Sequence, residues 1–228
     1  MRIKNYLLSN FPSYAPDFED FILYYIFNDI SKGFYIDVGA NDPNYFSVTK
    51  GFYDRGWRGI NIDPLPQKYR LLQKFRPRDI NLQLAIGINE GNTTFRVHGF
   101  SSSYLYKKDD KNSTIINVEV KRMSNICRIY VPKGTIIRFC KIDVERAEKY
   151  VLLSYDFENY RPNVFCIESL INKSTNTPEY KEWEDILIKN DYDFIYQYKY
   201  NRFYYDKRIS GIKDKFNNID FYVEKFKH

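Results

Sequence analysis

Four acidic residues follow short apolar runs in this chain, and their spacing could support chemistry at one site. They are Asp37, Asp63, Asp143 and Glu168, and each stands where a predicted strand stops. The carboxyl ends of parallel strands share one edge of a sheet, where ligands of open α/β sheets bind. A carboxylate there can accept hydrogen bonds from hydroxyl groups, attract a cation or act as a general base. Any one of them could instead cap a helix, but four at one edge favour a shared site.

The loop within Phe34 to Pro43 indicates the kind of ligand. Gly39 allows the backbone to approach a ligand closely, and Asp63 follows at about the spacing of an acid that grips a ribose diol. A dinucleotide loop needs further glycines, whereas this loop has Asn41, and Asp42 would repel a pyrophosphate. An adenosine ligand without phosphate and with a cationic centre fits better. S-adenosylmethionine is such a ligand, since carboxylates favour its sulfonium and ammonium.

Apolar runs alternate with helical patterns, which predicts an α/β fold with a mostly parallel sheet and helices on both faces. The predicted central strands are 36–38, 58–62, 81–86, 136–142 and 164–167. The predicted helices are 17–30, 45–55, 65–75, 123–130, 146–154 and 181–190, the first of them amphipathic. Two further strands, 93–97 and 115–120, flank a polar loop at 98–113.

The last part of the chain has a different pattern. Aromatic residues occupy alternate positions from Tyr192 to Tyr200, which predicts a strand with one aromatic face. Asn201 and Arg202 are predicted to form a turn, and 221–223 a final strand, so that the parallel units give way to an antiparallel end. We expect one domain over 1–228, made of an N-terminal helical segment (1–32), a cofactor-binding core (33–170) and an aromatic-rich C-terminal hairpin region (171–228).

Composition limits the partners and the location of the protein. The net charge of +6 favours acidic partners, but the basic residues around 68–78 and 199–215 are too sparse to predict nucleic-acid binding. Two histidines argue against a histidine zinc site. Of three widely spaced cysteines, Cys140 and Cys166 lie within apolar runs, which predicts buried thiols in a reducing compartment. The apolar run from Phe21 to Phe27 is too short to span a bilayer. No signal-peptide pattern is present, so we expect a cytoplasmic protein without a membrane span.

Several motifs occur together and in order along the chain. They are Phe34–Pro43, Gly56–Pro64, Ala85–Gly87, Lys141–Glu145 and Arg161–Glu168. Together they resemble the FkbM family of S-adenosylmethionine-dependent methyltransferases, and the resemblance runs from Glu19 to Glu168. It implies a seven-stranded Rossmann-like fold with a reversed last strand. It also implies methylation, mostly of hydroxyls on sugars, glycans or natural products.

The resemblance further implies a set of cofactor-binding residues: Asp37, Gly39, Ala40, Asn41, Asp63, Pro64, Leu65, Ala85 and Ser102. The first four would contact the methionine part of the cofactor, and Asp63 would hold the ribose. Pro64 and Leu65 would border the adenine, and Ala85 would lie near it at the end of the third strand. Ser102 belongs to a Gly-x-Ser-Ser match at 99–102 and would hydrogen-bond the cofactor or the acceptor.

Methyl transfer to a hydroxyl needs alignment of the acceptor and a base for the hydroxyl proton. Because histidine is scarce, the candidates are Asp143, Glu145 on the same side of an extended chain, and Glu168 on the neighbouring strand. Three close carboxylates could also hold a divalent cation such as Mg²⁺. In the alternative interpretation, Asp143 caps the following helix and Glu145 pairs with Arg146. His98 could be a base, although a surface position is the commoner role for a histidine in a loop.

Two residues depart from the family pattern, in which glycine is found at both positions: Arg146 and Phe18. Arg146 could narrow the acceptor site, pair with Glu145 or Glu148, contact an acidic acceptor or impair catalysis. The main hypothesis is an O-methyltransferase for a small-molecule or glycan acceptor. Three alternatives stay open: an N-methyltransferase for an amine-bearing glycan decoration or amino-acid derivative, a cofactor-binding protein with impaired catalysis, and an RNA methyltransferase, which is the least favoured. The sequence predicts no oligomeric state.

Overall fold

The computed structural model describes residues 11–98, 101–103, 114–172 and 177–226. The described helices are α1 (Glu19–Phe27), α2 (Lys50–Asp54), α3 (Pro66–Phe75), α4 (Met123–Tyr130), α5 (Glu148–Leu153), α6 (Glu184–Lys189) and α7 (Ile219–Phe226), with 3-10 helices at Glu179–Glu182 and Lys213–Phe216. The described strands are β1 (Phe34–Val38), β2 (Arg58–Ile62), β3 (Ile80–Leu82), β4 (Ala85–Ile86), β5 (Gly91–His98), β6 (Ser101–Ser103), β7 (Thr114–Lys121), β8 (Ile137–Ile142), β9 (Val164–Glu168), β10 (Ile171–Asn172), β11 (Thr177–Pro178), β12 (Tyr192–Tyr198) and β13 (Asn201–Asp206).

Seven strands form the main sheet, in the order β12-β13-β9-β8-β1-β2-β3. Strands β3, β2, β1, β8 and β9 pair in parallel along this order. Strand β13 is reversed, because it pairs antiparallel with both β9 and β12. The predicted fold class is therefore confirmed, and the carboxyl ends of β1, β2, β8 and β9 lie at one edge of the sheet.

Helices cover both faces of the main sheet. On one face, α1, α2 and α7 pack around Tyr35, Trp57 and Phe139. On the other face, α4, α5 and α6 pack around Ile36 and Phe165. Neighbouring strand residues point to opposite faces, so all five residues of β1 are buried. This explains why the central strands read as continuous apolar runs rather than as alternating patterns.

The first helix is buried on all sides, so the prediction of an amphipathic helix is wrong. Every residue of α1 is buried, including Glu19 and Asp20. The Asp20 carboxylate accepts hydrogen bonds from the Ser13 hydroxyl and from nearby backbone N–H groups. The Glu19 carboxylate accepts one from the side-chain amide of Asn201 at 2.9 Å. Hydrogen bonds inside the protein thus satisfy the two carboxylates, which an amphipathic helix would instead expose to solvent.

The predicted strand at 81–86 is two strands in different sheets. Strand β3 ends the main sheet at Leu82, whereas Ala85 and Ile86 form β4 and pair in parallel with β7. A second sheet has the order β4-β7-β5-β6, and its long β5–β7 pairing confirms the strands predicted at 93–97 and 115–120. Most of the predicted polar loop, residues 99–100 and 104–113, lies outside the described residues.

The aromatic strand near the C-terminus is confirmed, but its aromatic residues do not share one face. The register shifts between Phe194 and Tyr196. As a result Phe194 contacts Tyr204, whereas Tyr196 contacts Phe203. Phe203 and Tyr204 are consecutive residues of β13 and point to opposite faces of the sheet. The predicted turn at 201–202 is also wrong, since these residues begin β13 and the hairpin turns at 199–200 instead.

The predicted final strand at 221–223 is part of helix α7. Ile219 and Val223, four residues apart, are buried, whereas Phe221 is 63% exposed. That spacing is the period of a helix with one apolar face. A run of three apolar residues is too short to distinguish a strand from a helix.

Two predictions from composition can be compared with the described residues. Cys127, Cys140 and Cys166 are all buried and form no disulfide, which confirms the predicted burial of Cys140 and Cys166. Within 11–98, 101–103, 114–172 and 177–226, no helix has both the length and the apolar character needed to cross a bilayer.

Candidate active site

A cleft of about 530 Å³ opens at the carboxyl edge of the main sheet. One side is formed by the ends of β1, β2 and β8, and the other by the segment 84–93 and the β5–β7 hairpin. The apolar residues of its lining are Val38, Ile62, Leu65, Leu84, Ile86, Phe95 and Val120, among others. An apolar cleft with a few polar groups is the usual form of a small-molecule site.

The cleft brings together many of the residues that the sequence singled out. Its lining includes Gly39, Asn41, Asp63, Pro64, Leu65, Ala85, Asp143 and Glu145. Asp37, Ala40 and Glu168 are not part of that lining. The backbone of Ser102 pairs with Val97 in the second sheet, while the side chains of Ser102 and His98 lie outside the described part of the chain.

One wall of the cleft was missed by the sequence analysis. The segment from Ile88 to Thr93 lines it, together with Tyr150 from α5. In the sequence, Asn89-Glu90-Gly91-Asn92 has the composition of an ordinary polar turn. Only the pairing of β4 with β7 places this turn against the edge of the main sheet.

Gly39 lies where the ends of β1 and β8 meet. Its φ is +82°, and a Cβ atom at this position would lie 1.8 Å from the carbonyl oxygen of Asp143. The Asp143 N–H also donates to the Val38 carbonyl, and the Gly39 N–H donates to the Ile62 carbonyl. The sequence attributed this glycine to the approach of a ligand. The structure gives a different primary cause, the close contact of two strand ends.

Asp63 is held in one orientation through both of its carboxylate oxygens. Oδ2 accepts a hydrogen bond from the Asn41 N–H and Oδ1 one from the Leu65 N–H, each at 2.9 Å. A carboxylate oxygen has two lone pairs, so each keeps one for a ligand. Burial raises the pKa of Asp63 to about 6 despite these hydrogen bonds. A fixed carboxylate that lines the cleft is suited to the two hydroxyls of a ribose.

The loop that follows β1 is fastened from behind by Arg76. This fully buried side chain donates to the Pro43 carbonyl through two nitrogens, at 3.0 and 2.8 Å, and to the Ser47 hydroxyl at 2.9 Å. A further nitrogen donates to the Thr49 carbonyl at 3.3 Å. The sequence offered Arg76 only as one basic residue among several, because nothing near it in the chain marks it as buried.

A buried lysine connects this loop to the acidic residues. Lys141 Nζ donates to the Gly39 carbonyl at 2.8 Å and forms ion pairs with Asp143 at 3.3 Å and Asp37 at 3.5 Å. Burial alone would lower the pKa of Lys141, but Asp143 and Asp37 raise it above its usual range. The other oxygen of Asp37 accepts a hydrogen bond from the Thr49 hydroxyl at 3.0 Å. Asp37 therefore supports the floor of the cleft from behind.

The three predicted catalytic carboxylates lie close to one another. Burial raises the pKa of Glu168 to about 9, and the nearby Asp143 and Glu145 contribute to the rise. The like charges of Asp143 and Glu145 favour the protonated form of Glu168, which can then share a hydrogen bond with Asp143. Asp143, which is about one third exposed, and Glu145 line the cleft and can meet a ligand there, whereas Glu168 is not part of the lining.

Comparison with known proteins identifies the family. Residues 37–196 match the Methyltransferase FkbM domain.

This chain belongs to the FkbM methyltransferase family.

Membership in the FkbM family makes the chain a methyltransferase and implies the use of S-adenosylmethionine. No curated protein sequence matches the chain. Among solved structures, the METTL16 MTase domain (crystal form 2) is similar with a TM-score of 0.41 and 10% identity. That match covers 82% of this chain and 65% of the other chain. The delta-N METTL16 MTase domain gives a TM-score of 0.40 and 9% identity, over 82% of this chain and 80% of the other. The assignment rests on the family match.

The two departures from the FkbM pattern share a backbone conformation. Phe18 has a φ of +56° and Arg146 a φ of +81°, and Glu145 before it has a φ of +53°. Glycine adopts this left-handed region without the clash that a Cβ atom causes. A glycine would fit this backbone without strain, whereas Phe18 and Arg146 adopt it with a Cβ atom.

The side chain of Arg146 pairs with neither of its predicted partners. Its Nε lies 3.1 Å from Glu179 Oε1, and Arg146 is not part of the cleft lining. The carboxylate of Glu148 instead accepts a hydrogen bond from the Val144 N–H at 2.9 Å. No side-chain hydrogen bond caps the N-terminus of α5, so the alternative in which Asp143 caps this helix is also wrong.

The carboxylates of this FkbM domain do not form a metal site. Within the described ranges, no group of three or more His, Cys, Asp or Glu side chains is arranged to hold a metal ion. The ammonium of Lys141 already occupies the place of a cation beside Asp143, and burial favours the protonated form of Glu168, so the arrangement does not favour a hard cation. The predicted option of a divalent cation is not supported.

Buried carboxyl groups should make this FkbM domain more stable in mild acid than in mild alkali. Burial raises five pKa values: Asp20 and Asp63 to about 6, Glu19 and Glu148 to about 7, and Glu168 to about 9. Above the ordinary values of 3.8 and 4.5, the folded state thus binds more protons than the unfolded chain. The free energy of unfolding then falls as pH rises towards 9. We expect Tm to fall from pH 6 to pH 9 in thermal scans, and Glu168→Gln to flatten the part nearest pH 9. A Tm that rises over this range would contradict the burial of these acids.

Proposed function

We propose that this FkbM domain transfers the methyl group of S-adenosylmethionine to a hydroxyl of a sugar, a glycan or a related small molecule. One observation carries the proposal: a single cleft joins the fixed carboxylate of Asp63 to the acids around Asp143. The apolar wall suits an adenine ring, and Asp63 suits the ribose diol. The acidic end suits a sulfonium, because carboxylates stabilise a nearby positive charge.

The remaining cofactor-binding residues are proposed from the family resemblance and their positions. Pro64, Leu65 and Ala85 line the same cleft as Asp63, which supports a place beside the adenine. Gly39 and Asn41 line it at the end of β1, which supports contact with the methionine part. Asp37 and Ala40 lie outside the lining and would act by shaping the loop. Ser102 stays a proposal from the motif alone.

The mechanism requires few protein groups. S-adenosylmethionine supplies a methyl group whose carbon–sulfur bond breaks towards sulfur while the acceptor oxygen forms the new carbon–oxygen bond. Asp143 would orient the acceptor hydroxyl and accept its proton as the bond forms. Glu168 lies beside Asp143, so the two carboxyl groups act as a pair in proton transfer. As pH rises through about 9, Glu168 ionises and the pair becomes a stronger base. The rate constant kcat/KM should therefore increase towards pH 9.

One observation favours an amine as a second candidate acceptor. Asp143 and Glu145 line the cleft and Glu179 lies nearby, so the acceptor side carries negative charge that would attract a protonated amine. An N-methyltransferase would need the same proton acceptor. Incubation with isotopically labelled methyl donor and a panel of sugars, amino sugars and RNA, followed by mass spectrometry and NMR, distinguishes O-methyl from N-methyl products. Label only in RNA would contradict the small-molecule proposal.

Asp63→Ala should weaken the binding of S-adenosylmethionine by at least about tenfold, or about 1.4 kcal/mol. The substitution removes the acceptors of the ribose hydroxyls and also frees the N–H groups of Asn41 and Leu65. Isothermal titration calorimetry measures the change. Asp185→Ala, at an exposed position of α6, serves as the matched control and should bind like the wild type. Unchanged affinity in Asp63→Ala would remove Asp63 from the ribose role.

A further inference from the structure

Lys141 is a charged residue in a strand that is otherwise almost entirely apolar. Strand β8 reads Ile-Arg-Phe-Cys-Lys-Ile, and Lys141 is buried in it between Cys140 and Ile142. Desolvation of an ammonium costs several kcal/mol, and a well-packed apolar side chain of similar volume is often as stabilising as a buried ion pair. Stability alone is therefore a weak explanation for a lysine at this position.

The contacts of the ammonium all belong to the candidate site. It donates a hydrogen bond to the Gly39 carbonyl at 2.8 Å and forms ion pairs with Asp143 Oδ2 at 3.3 Å and Asp37 Oδ1 at 3.5 Å. Gly39 begins the loop that lines the cofactor end of the cleft, and Asp143 is the proposed proton acceptor. A tetrahedral ammonium can reach three groups in different directions, whereas a planar guanidinium cannot do so from the same position.

The same ammonium is surrounded by acids from several elements. Besides its two ion-pair partners, the carboxyl groups that feel its charge are Glu19 of α1, Asp63 after β2, Glu145 in the loop after β8 and Glu168 of β9. Burial raises the pKa of each of these four groups, and Lys141 opposes the rise in every case. The positive charge therefore offsets mutual repulsion across the whole acidic end of the cleft.

We infer that Lys141 is a positioning residue for methyl transfer: it ties the loop at Gly39 to the carboxylate of Asp143 and supplies the positive charge on which the acidic end of the cleft depends. The part of the inference that concerns methyl transfer rests on the proposed function. Lys141 is not part of the cleft lining, so it acts through Asp143 and the loop.

The kinetic test uses two variants of Lys141 and a matched control on the same strand. Lys141→Gln, which removes the charge, should lower kcat at least tenfold and move the rise of kcat/KM with pH to higher pH by about one unit. Lys141→Arg keeps the charge, so it should keep the wild-type pH profile while kcat falls, because the fork cannot make all three contacts. Arg138→Gln, near the opposite end of β8, should change neither quantity. A lysine that only stabilised the fold would lower Tm without moving the pH profile.

A second measurement needs neither acceptor nor turnover. The side-chain carboxyl of Glu168, labelled with ¹³C and assigned through Glu168→Gln, can be titrated by NMR in the free protein. We expect a midpoint near pH 9 in the wild type, a higher midpoint in Lys141→Gln and an unchanged one in Lys141→Arg. An unchanged midpoint in Lys141→Gln overturns the inference. If that variant does not fold, wild-type kcat in Lys141→Arg overturns it instead. Absence of methyl transfer by the wild type would overturn the proposed function and leave the titration result to decide the electrostatic role.

Discussion

Asp143→Asn should lower kcat for methyl transfer by about 100- to 10,000-fold, the usual contribution of a general base. Asparagine keeps the shape of the side chain but cannot accept a proton. The affinity for S-adenosylmethionine should stay within about threefold of the wild type, because Lys141 still donates to the Gly39 carbonyl, Asp63 is untouched and Glu145 still lines the acidic end of the cleft beside the sulfonium. Steady-state kinetics and calorimetry on the same preparation separate the two quantities.

The controls for Asp143→Asn come from the same chain. Asp185→Asn makes the same chemical change at an exposed position of α6 and should leave kcat unchanged. Glu168→Gln keeps a hydrogen-bond donor for Asp143 but cannot ionise, so it should remain active and lose the increase in kcat/KM near pH 9. Full activity in Asp143→Asn would exclude Asp143 as the proton acceptor.

Gly39→Ala should lower the free energy of unfolding by about 3 kcal/mol or more and abolish cofactor binding. The new Cβ would lie 1.8 Å from the Asp143 carbonyl oxygen, which is a backbone atom and cannot move aside. The ends of β1 and β8 would have to separate, and the hydrogen bond from the Asp143 N–H to the Val38 carbonyl would be lost with them. Chemical denaturation and calorimetry measure the two effects.

Gly56→Ala is a closely matched control for Gly39→Ala. Gly56 has a φ of +86°, close to the +82° of Gly39, but a Cβ atom there would meet nothing within 4 Å. Its cost should be the conformational one alone, about 1–2 kcal/mol. The difference between the two variants then measures the contact of the strand ends. Equal destabilisation would mean that this contact is not as close as the structure has it.

The positions of the acids could be predicted from the sequence because they depend on a local pattern. An apolar run followed by an acid places that acid at the carboxyl end of a strand, and parallel strands bring these ends together. Asp63 and Asp143 meet at one cleft for this reason. The same apolar runs predicted the central strands and their parallel arrangement.

The contacts that hold these acids and the nearby loop in place could not be predicted, because they come from residues far away in the chain. Lys141 contacts Gly39 about one hundred positions earlier, and Arg146 pairs with Glu179, which lies 33 positions later. Arg76 looks like a surface residue of a basic segment until the loop folds over it. The only signal for Lys141 was a charge within an apolar strand, which could have been interpreted as a buried ion.

The errors in the predicted elements have physical causes of their own. Apolar residues recur throughout 80–86, so nothing in the sequence shows that the chain leaves the main sheet after β3 and joins β7. Alternation of aromatic residues predicts one face only when pairing is regular, and the register shift between Phe194 and Tyr196 breaks it. A glycine at the end of a strand can also have more than one cause. Gly39 is required because the neighbouring strand lies too close for a Cβ atom.

Calorimetric titration of the wild-type protein with S-adenosylmethionine tests the central claim most directly. We expect binding at one site per chain, with a Kd of about 1–100 µM, and competition by S-adenosylhomocysteine. Asp63→Ala should weaken that binding, whereas the Asp185→Ala control should not. If neither S-adenosylmethionine nor S-adenosylhomocysteine binds the folded wild-type protein, the cleft at the carboxyl edge of the sheet is not a methyl-donor site.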